Sequence, residues 1–64
     1  MRTYRVYFLA AQSIVAAEMI EAFSPSEAAA FGRRMAPSSP WRSLSPDRLE
    51  VWQGAKLHHS AVMC

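Results

Sequence analysis

The stretch Ile14-Val15-Ala16-Ala17-Glu18-Met19-Ile20-Glu21-Ala22-Phe23 runs directly into Ser24-Pro25-Ser26-Glu27, and the fold turns on how those first ten residues are read. As a helix they place Val15, Met19 and Phe23 on one stripe and Glu18 and Glu21 together on another. As a strand they pair back on the segment before them, and the two carboxylates point to opposite faces. No capping box precedes the stretch, since Ser13 is followed three residues later by Ala16. Ser24-Pro25-Ser26-Glu27, in contrast, is a complete helix start: Ser24 can cap, Pro25 suits the first helical position, and Glu27 can reach back to the Ser24 amide. A helix beginning afresh at Ser24 implies that another element ended at Phe23. The balance favours a strand over 14–23, with the helix as the alternative that a short apolar run leaves open.

Upstream, residues 3–10 are rich in aromatic and β-branched types and read as a strand. Alternation puts Tyr4, Val6 and Phe8 on one face and Arg5, Tyr7 and Leu9 on the other. Ala11, Gln12 and Ser13 make the turn. Downstream, a helix is expected over 25–36, with Ala28, Phe31 and Met35 as its buried stripe. Gly32 beside that stripe permits close approach to a sheet, and Arg33 and Arg34 complement the C-terminal dipole. Residues 37–47 hold Pro37, Pro40 and Pro46 among serines and read as an irregular loop, packed back through Trp41 and Leu44. Residues 48–53 form a strand with Leu49 and Val51 opposite Glu50 and Trp52. Gly54-Ala55 is a Gly-first two-residue turn of type II′. Residues 56–62 return as a strand, and the last few residues are expected to fray.

The chain is thus one domain over 1–64, β-β-α-β-β, an α+β fold with a single helix on one face of an antiparallel sheet. One helix covers one face, so the other face needs water, a ligand or a second copy. Size sharpens that need. A 64-residue domain buries too little surface for more than marginal stability. Cys64 is the only cysteine, which excludes an intrachain disulfide and a Cys-rich zinc site. Self-association is the remaining supplement, and a homo-oligomer is expected.

Four strings also match in layout a known group: Tyr4-Arg5-Val6-Tyr7-Phe8-Leu9, Ala17-Glu18-Met19-Ile20-Glu21-Ala22, Ser26-Glu27-Ala28 and Glu50-Val51-Trp52-Gln53-Gly54. In these the chain resembles a group of very short uncharacterised alphaproteobacterial proteins, of rhizobial and methylobacterial type. It departs from them in the turn at Ala11-Gln12-Ser13, where they carry Gly or Asp, and in its longer loop over 37–47. The resemblance implies a hairpin over residues 4–23. It implies no function, cofactor or site residue.

Chemistry-bearing residues are few. His58 and His59 are adjacent on a strand, which points them to opposite faces, and Cys64 sits at a terminus, so no metal site is expected. Cys64 also lacks a fixed base to make it a nucleophile. Glu18 and Glu21 at an odd offset on a strand do not form an acid/base pair. Gly32 and Gly54 are the only glycines, too few for a phosphate loop. We therefore expect no catalytic residues, no cofactor and no enzyme.

Arg2 and Arg5 followed by Val6–Ala11 loosely imitate a secretion signal, but Gln12 and Ser13 interrupt the apolar run early. Glu18 and Glu21 fall inside the only window long enough to span a bilayer. A soluble cytoplasmic protein without membrane contact is expected. The candidate interaction face is Arg5, Tyr7, Leu9, Arg48, Glu50 and Trp52, residue types enriched at protein interfaces, so the first expectation is a small non-catalytic interaction module that self-associates or binds a protein partner through this open face or a sheet edge. A plainer alternative is that Tyr7 and Trp52 only shield backbone on a half-wet sheet. The same types also stack single-stranded bases, so a nucleic-acid-binding domain is the second expectation, set back by a net charge of only +2 and by Glu50 on the same face.

Overall fold

A computed structural model describes residues 1–63. Expectations about Cys64 fall outside the described residues. Four strands, β1 (Arg2–Ala10), β2 (Ser13–Ala22), β3 (Arg48–Gln53) and β4 (Lys56–Val62), form one sheet in the order β2-β1-β3-β4, and the helix α1 (Pro25–Met35) lies between β2 and β3 in the chain. Every neighbouring pair is antiparallel. Residues 14–23 are therefore a strand, shifted one residue toward the turn, and Phe23 stands outside it, exposed. Because β1 lies between them, β2 and β3 run parallel, and α1 carries the chain across β1 to join them.

The start of α1 follows the sequence signal with one change. The Ser24 hydroxyl accepts from the Glu27 amide at 3.1 Å, but the Glu27 carboxylate accepts from the Phe23 amide at 2.8 Å instead of from that of Ser24. The buried stripe also differs from the expected Ala28, Phe31 and Met35. Ala28, Ala29 and Gly32 are buried, while Phe31 and Met35 flank the core half-buried. Small residues win this position because the helix sits low on the sheet: a Cβ on Gly32 would lie 3.3 Å from both the Phe8 ring and a Val6 methyl. Tyr4, Val6, Phe8, Leu49 and Val51 fill the space beneath.

The loop expected over 37–47 is more ordered than its prolines imply. Two short 3₁₀ turns, Ala36–Ser38 and Arg42–Leu44, fold it back. Trp41 packs its ring on Phe8 with centroids 4.2 Å apart and donates its indole N–H to Glu18 at 3.1 Å. Leu44, expected to pack inward with Trp41, is exposed. Met63, expected to fray, rests against the core with Ala61.

The two hairpin turns contrast. Gly54 has φ +60 and Ala55 a negative φ, as a type II′ turn requires, at no steric cost. Ala11 and Gln12 both take positive φ, 51 and 70, the type I′ pattern on two residues that carry a Cβ. Replacing them with the favoured pair, Ala11→Asn with Gln12→Gly, is expected to raise stability by about 1 kcal/mol. For a domain this size that is a rise of roughly 4–8 °C in thermal midpoint. An unchanged midpoint would show that the turn carries no strain.

Candidate interaction face

The sheet face away from α1 is ordered in rows by the strand register. Met19, Arg5, Trp52 and Leu57 form one row across β2, β1, β3 and β4. Ala17, Tyr7, Glu50 and Ser60 form the next, and Ile14, Leu9, Arg48 and Val62 the third. Arg5, Tyr7, Arg48, Glu50 and Trp52 stand on this face as the sequence indicates, the arginines exposed and the other three half-buried. Leu9 requires correction. It points to this face but is only 8% exposed and lies outside the main core cluster, walled in by Ile14 and Arg48 on the neighbouring strands. Leu9 is floor, not contact surface.

Four residues that alternation does not bring together complete the face. Ile14 and Met19 on β2 are 58% and 63% exposed, and Leu57 and Val62 on β4 are 44% and 53% exposed. Each pair is five residues apart, an odd offset that a regular strand sends to opposite faces. A bulge in each edge strand resets the count. On β2 the register skips Val15, and Val15 and Ala16 both pack on the core side. On β4 it skips His58. Pure period-two reading misses these bulges, and with them half of the apolar rim.

The His58 bulge also corrects the expectation of opposed histidines. His59 is opposite the buried Val51, and His58 turns its ring edge-on to Tyr4, centroids 6.0 Å apart, with a ring nitrogen 3.1 Å from Gln53 Oε1. Both rings thus lie on the helix side. No group of three His, Cys, Asp or Glu side chains placed to hold a metal ion occurs among the described residues. Glu18 and Glu21 stand opposite Val6 and Thr3 respectively, on opposite faces, as expected of a strand.

At the centre of the open face Tyr7 and Trp52 meet edge to face, centroids 6.3 Å apart at 82°, a geometry favoured by the ring quadrupoles. Each charged group here bonds a neutral partner. Trp52 Nε1 donates to Glu50 at 3.1 Å, Arg48 Nε donates to the Ser60 hydroxyl at 3.2 Å, and Arg5 makes a long 3.4 Å bond to the Tyr7 hydroxyl. That bond raises the Arg5 guanidinium above its already high ordinary pKa. Two open depressions, of about 320 and 310 Å³, flank Trp52; one is bounded by Arg5 and Met19, the other by Tyr7, Ile14 and Glu50. They are concavities fit for protruding side chains.

No family model matches the chain, and no curated protein or solved structure matches it either. No helix among the described residues is long and apolar enough to cross a membrane.

Proposed function

We propose that the chain is a small non-catalytic interaction module whose open sheet face is covered by a second copy of itself. The observation that carries this is the apolar rim: two edge bulges bring Ile14, Met19, Leu57 and Val62 around the Tyr7–Trp52 pair. Exposed apolar groups gathered on one face with aromatics and arginines match the anatomy of interfaces, not of solvated sheet. The molecule's two longer dimensions, 30 and 21 Å, bound the face at about 630 Å² per copy. Two such faces can bury at most about 1,260 Å² in total, which reaches the lower end of stable interfaces. The small core supplies the need, since association adds burial that one copy lacks.

Edge pairing is the weaker mode. Both edge strands carry a bulge, which interrupts the ladder a neighbouring strand would need. Nucleic-acid binding is disfavoured by Glu50, whose carboxylate sits at the centre of the face beside Trp52. The carboxylates Glu18 and Glu50 each hold an indole N–H, which suits positioning and leaves no acid/base pair. A reducing cytoplasm fits this reading, because burial and association, not disulfides, hold such a domain.

Sedimentation equilibrium at micromolar concentration is expected to give twice the 7.2 kDa chain mass. Trp52→Ala, at the centre of the face, is expected to weaken association at least ~30-fold, the effect of a central aromatic anchor. A strict monomer at these concentrations, with Trp52→Ala equally stable and soluble, sinks the proposal. Quenching of Trp52 fluorescence by single-stranded oligonucleotide, lost as salt rises, would replace it with the nucleic-acid reading.

A further inference from the structure

Resting on the self-association just proposed, we infer that the two copies meet about a two-fold axis that runs parallel to the strands, along the line between β1 and β3. The sheet order β2-β1-β3-β4 makes this operation exchange β1 with β3 and β2 with β4 across the interface. Each row of the face then lies on the same row of the partner, reversed. Met19 faces the partner's Leu57 and Ile14 faces the partner's Val62, so the exposed apolar rim of each edge covers that of the other. Arg5 lies over the partner's Trp52, a cation on an aromatic face, with the partner's Glu50 one row along. Tyr7 brings its hydroxyl to the partner's Glu50.

Charge decides between this axis and the other symmetric choice. A two-fold running across the strands through the centre of the face lays Glu50 on Glu50 and covers Arg5 with Leu9. The axis along the strands sets no like charge on like and strands no carboxylate away from a donor. An axis across the strands also covers the rim, with Met19 on the partner's Ile14 and Leu57 on the partner's Val62, so the charged centre of the face is what separates the two. The interface is isologous and closed: it consumes the face and ends at two copies.

The test uses thiols at Met19 and Leu57, both exposed, in a Cys64→Ser background. Sheets pack about 10 Å apart, so facing side chains come within reach of a short bis-maleimide. Met19 and Leu57 of one chain are three strand spacings apart, roughly 14 Å, as are Met19 and its own copy measured along the face. The Met19→Cys/Leu57→Cys protein is therefore expected to give covalent dimers in high yield, and Met19→Cys alone to stay single on a denaturing gel. Covalent dimers from Met19→Cys alone, or none from the double variant, in a sample that sediments as a dimer overturns the axis and leaves the face reading standing. A sample that sediments as a monomer overturns both.

Discussion

Phe8→Ala is expected to leave about half or less of the chain folded at room temperature, seen as a matching loss of the near-ultraviolet dichroism of the aromatic core. Phe8 is fully buried on the central strand β1. Above it sits Gly32 of α1, and beside it the Trp41 ring at 4.2 Å, so one side chain ties the sheet, the helix and the returning loop together. Truncating a buried phenylalanine to alanine costs about 3–5 kcal/mol, because transfer free energy is lost and a cavity remains. A single core in a domain this small supplies about 3–5 kcal/mol altogether. The two quantities cancel. A variant that keeps a sharp urea transition, at a cost below about 1 kcal/mol, would show that the helix and loop are held by something other than this ring.

The second large effect lies directly across that contact. Gly32→Leu is expected to lower stability by about 3 kcal/mol, the upper range for overpacking. A Cβ at position 32 already comes to 3.3 Å of both Phe8 and Val6, and both of those side chains are fully buried. Gly32→Ala separates the terms: it gains about 1 kcal/mol of helix propensity and spends it on pushing the ring aside, so its net effect is small. Coupling exposes the cause. Phe8→Leu withdraws the ring atoms nearest Gly32, so Gly32→Leu should cost at least about 1 kcal/mol less in that background. Strict additivity in the urea-derived double-mutant cycle would place the strain elsewhere in the helix.

How the fold reads from the chain follows from which signals are local. The cap at Ser24, the glycine turn at Gly54 and the aromatic alternation of β1 act over a few residues, and each element they mark is present. The missing cap before Ile14, together with the fresh helix start at Ser24, turns 14–23 toward a strand. The buried stripe of the helix is set by how closely its backbone approaches the sheet, which spacing along the chain does not encode. Once Gly32 lets the helix settle on Phe8, the alanines meet the sheet, and Phe31 and Met35 are displaced to its flanks. The open face was half legible. Arg5, Tyr7, Arg48, Glu50 and Trp52 lie on regular strand segments where period two holds. Ile14, Met19, Leu57 and Val62 lie on strands whose bulges depend on pairing with β1 and β3, information no single strand contains.

The two tryptophans are divided between the two sides of the sheet. Trp41 lies under the loop against Phe8, its indole held by Glu18, while Trp52 lies on the bare side beside Tyr7, its indole held by Glu50. The protein thus carries two separate optical reporters. Emission from Trp41 follows the seating of helix and loop, and emission from Trp52 follows whatever comes to rest on the sheet. With the other tryptophan changed to phenylalanine, each signal can be watched alone, and folding and association become distinguishable in a single unlabelled chain.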